Sequence, residues 1–177
     1  MAAASAAAAV WLLDANVLIA LTQAAHVHHT EAHRWFGQLP RRRWATCALT
    51  QLAFVRLTSN ANVVGHAVSP AEALQALEAM TASSQHDYWA DASAPLACAT
   101  LNSAAVVGHR QVTDAYLLGL AATRDARLAT LDRGLVSFAQ ALGLQRHLEW
   151  VSAGVSVQEP AAPYRAGRLR KPVAQRA

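Results

Sequence analysis

Residues Val10 to Thr22 read VWLLDANVLIALT. The first four, Val10–Leu13, form an apolar run that is too short for a helix and closes on a polar residue, so they read as a buried strand. From Asn16 to Thr22 the pattern turns helical. A strand that passes straight into a helix opens a βαβ unit, and the same alternation recurs along the chain. His29–Leu39 spaces Ala32, Trp35, Phe36 and Leu39 as a helix does, and Pro40 stops it. Arg43–Cys47 reads as a strand and Thr50–Leu57 as a helix broken at Ser59-Asn60. Ser69-Pro70-Ala71-Glu72 is a helix start, with a Ser cap, Pro at the first position and an acid in the first turn. That helix runs to about Ala82, and Tyr88–Trp89 belongs to the next strand. Leu96–Val106 reads as a helix ended by Gly108, and Asp114–Arg124 as a long helix capped by Thr113. Arg127–Leu131, the helix Phe138–Leu142 stopped by Gly143, and the strand His147–Val151 complete the pattern. This order predicts an α/β fold: a mainly parallel sheet with helices on both faces.

Composition agrees with one such domain. The chain has 177 residues, 54% hydrophobic and 15% charged. A length near 150 residues buries enough surface to need no staples. Cys47 and Cys98 stand far apart, with no CxxC and no His/Cys ligand spacing, so neither a disulfide framework nor a zinc finger is encoded. No apolar run reaches the ~20 residues of a membrane span. The net charge is +4, and its location matters. Residues 152–177 hold Arg165, Arg168, Arg170, Lys171 and Arg176 against the single acid Glu159, while residues 1–151 hold ten Arg and ten acids. The chain therefore divides into an Ala-rich extension (1–9), a neutral domain (10–151) and a basic tail (152–177) whose Pro and Gly content predicts disorder.

Only eleven acids exist, and three fall where α/β folds build sites. Asp14 ends the first strand, Asp132 ends the RLATL strand, and Asp114 opens a helix. Taken singly, an Asp after a strand serves as a turn residue and an Asp at a helix start answers the dipole. Together, at the carboxyl ends of adjacent parallel strands, three carboxylates repel one another unless a cation lies between them. Oxygen-only ligands select a hard cation, Mg²⁺ or Mn²⁺. Such a centre activates water and polarises a phosphoryl group, so metal-assisted phosphodiester hydrolysis is the expected reaction class.

The strings that carry these acids are LLDANVLIAL (Leu12–Leu21), VTDAYLLGLA (Val112–Ala121) and LATLDRGL (Leu128–Leu135). With HVHHTEAHRWF (His26–Phe36) and WATCALTQLAFVRLTSN (Trp44–Asn60), they resemble the PIN-domain ribonucleases, and among them the VapC-type toxins of bacterial toxin–antitoxin pairs. The resemblance runs from about Val10 to Val151. It implies a PIN-like three-layer α/β/α sandwich and a cytoplasmic Mg²⁺- or Mn²⁺-dependent endoribonuclease. It also implies an RNA substrate, a cognate antitoxin that inhibits the enzyme, operator DNA reached only through that antitoxin, and a homodimer. Asp14, Asp114 and Asp132 match acidic active-site positions of the family and are the expected metal ligands. The family's second acid falls on Gln51 here, a neutral and weaker ligand than a carboxylate. Gln51 is still an expected member of the catalytic set, as a holder of metal-bound water. Asp91, after the Tyr88-Trp89 strand, is a candidate compensating acid.

Other features have plainer readings. His26, His28, His29 and His33 lack the HExxH pattern and read as a helix-entry segment rather than a zinc site. Arg41-Arg42-Arg43 reads as a solvated loop, and Arg56 and Arg110 as surface residues with phosphate contact as the sharper alternative. Trp11, Trp35, Trp44, Trp89 and Trp150 read as packing residues. Thr130 shares a face with Asp132, where it orients a ligand or fills the sheet. Two other classes compete. One is a catalytically weak PIN-fold binding module that acts on DNA through its antitoxin complex, which Gln51 favours. The other is an aspartyl-phosphate protein, which the DAN string and a core without Lys oppose. No GxSxG elbow, GxGxxG or GKS/T loop is present.

Overall fold

A computed structural model describes residues 9–39, 43–66, 68–90 and 102–152. Asp91, Cys98, Arg41, Arg42, the segment 96–101, nearly all of the 1–9 extension and the tail from 153 onward lie outside those residues. The elements run β1 (Trp11–Leu13), α1 (Ala15–Thr22), α2 (His29–Gln38), β2 (Trp44–Cys47), α3 (Ala48–Thr58), α4 (Ala61–Val64), α5 (Pro70–Thr81) and β3 (His86–Trp89). After a 3-10 turn at Ser103–Ala105 come α6 (Gln111–Thr123), β4 (Arg127–Thr130), α7 (Gly134–Leu142), a second 3-10 turn at Gln145–His147 and β5 (Leu148–Trp150).

The five strands form one sheet in the order β3-β2-β1-β4-β5, and every neighbouring pair is parallel. β1 is central, and all three of its residues are buried, as a strand covered on both faces requires. Its alternation sorts them. Leu12 lies with Ala45, Cys47 and Leu128 under Leu118 of α6 and Phe138 and Leu142 of α7. Trp11 and Leu13 lie with Trp44 and Ala129 under Leu18 of α1, Phe54 of α3 and Leu77 of α5. Helices therefore cover both faces, in the three-layer α/β/α arrangement expected. Each fully buried large apolar side chain contributes about 1.5–3 kcal/mol, so the two clusters on either side of the sheet hold the sandwich together.

Local signals place several boundaries. Ser69 and Glu72 form a reciprocal capping box at the start of α5, and Gly143 ends α7 with a left-handed φ of 76°. Three expectations are corrected. α6 begins at Gln111, so Thr113 lies inside the first turn and is not the cap. Gln111 replaces it as the organiser of that end: its Oε1 accepts from the Val107 and Gly108 backbone N–H groups at 2.9 and 3.1 Å. α7 begins at Gly134, a full turn before Phe138, because Asp132 bonds the Gly134 N–H and starts the helix early. Within the expected 96–106 helix, the described part holds only the 3-10 turn. The short α4 has no apolar period to announce it; the Asn60 side chain caps it by accepting from the Asn62 N–H at 3.0 Å.

Candidate active site

The strand order creates a switch point. From β1 the chain winds outward to β2 and β3, then returns to lay β4 on the other side of β1. In open parallel sheets the crevice at such a reversal, beyond the carboxyl ends of the strands, is where ligands bind. Asp14 follows β1 and Asp132 follows β4, so the two flank this crevice. α6 feeds into β4, so its first turn lies at the opposite end of that strand from where β4 begins. Asp114, in this first turn, is thereby carried to the same end of the sheet. The fold brings all three aspartates together.

A buried threonine organises them. Thr130, fully buried at the end of β4, donates its hydroxyl hydrogen to Asp14 Oδ2 at 2.8 Å. Thr130 Oγ1 in turn accepts from Asn16 Nδ2 at 2.9 Å and from the Asp132 backbone N–H at 3.1 Å. One donor and two acceptor sites are all a hydroxyl has, so Thr130 is saturated and acts as a positioning group. Asn16 completes the frame, since its Oδ1 accepts from the Leu131 N–H at 3.1 Å. Asp132 is fixed in turn by the Gly134 N–H, which donates to its Oδ1 at 2.7 Å. A Cβ on residue 134 would stand 3.0 Å from that oxygen, which is why glycine suits the place.

The electrostatics show the crowding. Burial pushes the Asp14 carboxyl above its usual value, and the charge of Asp132 adds to this, against hydrogen bonds from Thr130, the Ala15 backbone and Asn16. Asp114 is raised to about 6, first by burial and then by the charges of Asp14 and Asp132. A cavity of about 340 Å³ opens beside them, with Asp114, Asp132 and Arg110 at its polar end and Val107, Leu135 and Phe138 among its apolar walls. Among the described residues, no three His, Cys, Asp or Glu side chains form a metal-holding group by themselves. A cation held here would take one or two carboxylates and fill its shell with water and substrate oxygens, which is the habit of Mg²⁺ rather than of a metal enclosed by protein.

Gln51 lies in the first turn of α3, just past the carboxyl end of β2. Its Nε2 donates to Thr46 Oγ1 at 2.9 Å, and Thr46 Oγ1 lies 2.8 Å from His86 Nε2. The amide is thus tied to β2 and β3, and among the described residues no aspartate hydrogen-bonds to it. Burial lowers the His86 pKa, which favours the neutral ring in this network. The histidine-rich segment serves α1: His29 Nδ1 and His33 Nε2 meet the Ala20 and Leu21 carbonyls at 2.8 and 2.9 Å, at the end of that helix where carbonyls lack partners. Trp11, Trp44 and Trp89 are core residues, whereas Trp150 is 40% exposed. Asn16 and Arg133 escaped the sequence reading; the DAN string was the available signal for Asn16, and nothing local marked Arg133.

A family model described as the PIN domain matches residues 11–141, and the chain belongs to that family. Its similarity to individual relatives is also extensive. It is 48% identical over 124 residues to Ribonuclease VapC29 of Mycobacterium tuberculosis, covering 70% of this chain and 86% of that protein. It is 42% identical over 130 residues to Ribonuclease VapC39 of the same species, covering 73% of this chain and 94% of that protein. To Ribonuclease VapC38 it is 40% identical over 129 residues, covering 73% and 89%. Within the PIN family, this is a VapC-type member.

Proposed function

We propose that this protein is the toxin of a toxin–antitoxin pair, an endoribonuclease that hydrolyses RNA phosphodiester bonds with Mg²⁺ or Mn²⁺ and is inhibited by a cognate antitoxin. The observation that carries the reading is the convergence of Asp14, Asp114 and Asp132 at the switch point of a parallel sheet, close enough that the charge of Asp132 raises Asp14 and the charges of both raise Asp114. Relatives named ribonucleases support RNA as the substrate. One or two of the carboxylates of Asp14, Asp114 and Asp132 would hold the cation, with water and substrate oxygens filling its shell. When bound, it would supply an activated water and charge neutralisation at the phosphate. Thr130 and Asn16 hold Asp14 in place, and the Gly134 N–H holds Asp132. Gln51 completes the catalytic set from the β2 side, as a neutral amide whose orientation Thr46 fixes. The protein works in the cytoplasm, as a homodimer, and meets operator DNA only through its antitoxin.

The test is cleavage of a structured RNA with and without EDTA. We expect EDTA to abolish cleavage and added Mg²⁺ or Mn²⁺ to restore it. Asp14→Asn and Asp114→Asn are expected to lower the rate by orders of magnitude while circular dichroism stays native. Full activity of either variant, or cleavage that survives EDTA, would overturn the reading.

A further inference from the structure

We infer that Arg133, stacked on Trp150, is a docking point for a backbone phosphate of the RNA. The inference deepens the ribonuclease reading and rests on it. A three-carboxylate crevice repels a polyanion, so an RNA-cleaving site needs cations on its rim. Arg133 is placed there by sequence continuity: it is exposed and stands between Asp132 and Gly134, whose N–H holds the Asp132 carboxylate. Its guanidinium carbon lies 5.5 Å from the centroid of the Trp150 ring. Trp150 is on the edge strand β5 and pairs in register with Thr130, the residue that holds Asp14. Paired residues of neighbouring strands project from the same face, so the stack stands one strand outward from the Thr130–Asp14 bond.

The stack has the chemistry of a binding element rather than of core packing. An indole face fixes a guanidinium without using its in-plane N–H groups, which stay available for a phosphate in bidentate geometry. The ion pairs among the described residues join His28 to Glu31, Arg43 to Asp87 and Arg127 to Glu149, so no carboxylate there neutralises Arg133. Contrast Arg124, which also lies over a tryptophan, Trp89, 4.9 Å from its centroid. That tryptophan is buried, and Arg124 Nη2 donates to the Ala90 carbonyl at 3.0 Å, so its donors are engaged in the fold. Arg110 lines the cavity beside Asp114 and Asp132 from the start of α6, so a strand of RNA entering the crevice would meet a second arginine there.

The test is binding of a fluorescent single-stranded RNA in EDTA, read by anisotropy over a range of salt, with melting curves to verify folding. Arg133→Ala is expected to weaken binding about three- to tenfold and to reduce the salt slope by about 0.7, the value for one phosphate contact on a single strand. Trp150→Ala is expected to weaken binding with the slope nearly kept, because the charge remains and only its placement is lost. Trp150→Phe, which preserves an aromatic face, is expected to restore most of the affinity. Arg127→Gln removes an equal charge at the opposite end of β4 and is expected to have a smaller effect. If Arg133→Ala and Trp150→Ala match Arg127→Gln while the wild type binds RNA, the inference fails and the ribonuclease reading stands. If the wild type neither binds nor cleaves RNA, both fall.

Discussion

At the scale of single residues, the site is a set of acids held against their own repulsion. Asp114 shows the cost. Its pKa in the folded protein, about 6, lies above the ordinary 3.8, so the unfolded chain ionises first as pH rises. The ionised group therefore costs stability, fully above pH 6 and not at all below about 3.8, where both states are protonated. Asp114→Asn is expected to stabilise the metal-free protein at pH 7.5 by about 1 kcal/mol, a value reduced for the screening of a half-exposed group. The gain shrinks as pH falls through 6 and vanishes near 4. Urea denaturation at several pH values in EDTA checks it; a gain independent of pH would show that folding does not raise the Asp114 carboxyl. Thr130 is the complementary case. Thr130→Val removes a saturated buried hydroxyl and leaves Asn16 Nδ2 and the Asp132 N–H without their acceptor. The expected loss is about 1–3 kcal/mol in denaturant titration, with impaired cleavage, and Thr130→Ser is expected to restore most of both.

At the scale of elements, α6 decides where Asp114 stands. The helix begins at Gln111, whose side chain ties the preceding loop by bonds to the Val107 and Gly108 amides. Asp114 lies in the same first turn and depends on that register. Gln111→Ala is expected to cost about 1 kcal/mol and to lower cleavage several-fold with every aspartate intact. Equilibrium unfolding and steady-state cleavage, run in parallel, separate the effects. An activity equal to wild type would show that the α6 start is set by its packing alone. The histidine-rich α2 is tied to α1 in a comparable way, through side chains that occupy carbonyls at the end of its neighbour.

At the scale of the whole molecule, charge is unevenly spread: residues 152–177 carry the net +4 and residues 1–151 are formally neutral. Among the described residues the last strand ends at Trp150, and Val151 beyond it is buried. Removing Ser152–Ala177 is expected to leave the melting temperature and the cleavage-site metal dependence unchanged. RNA affinity is expected to fall with a shallower salt dependence, because five basic residues and one acid are lost and fewer counterions are released. Anisotropy titration of the truncated and full-length proteins checks this. Equal affinities and slopes would assign the tail no part in RNA binding, and a failure to fold would move the domain boundary.

The sequence alone determined the alternation of elements, because strand runs, caps and stops are encoded within a few neighbouring residues. Val10–Leu13, the Ser69–Glu72 box and Gly143 each act through local sterics and local hydrogen bonds. It also placed Asp14, Asp114 and Asp132 at strand ends and a helix start, which the fold then gathers. Where the local signals were weak, boundaries slipped: Thr113 resembled a cap while Gln111 held the loop, and α4 carried no apolar period. Only the tertiary structure decided which strand lies beside β1. Asp14 and Thr130 are 116 positions apart, and their bond exists because β4 returns to pair with β1. The Thr46–Gln51–His86 network and the Arg133–Trp150 stack depend in the same way on strands separate in sequence. Pairing and register are set by how two faces of helices bury one sheet, a property of the whole chain that no short stretch of it contains.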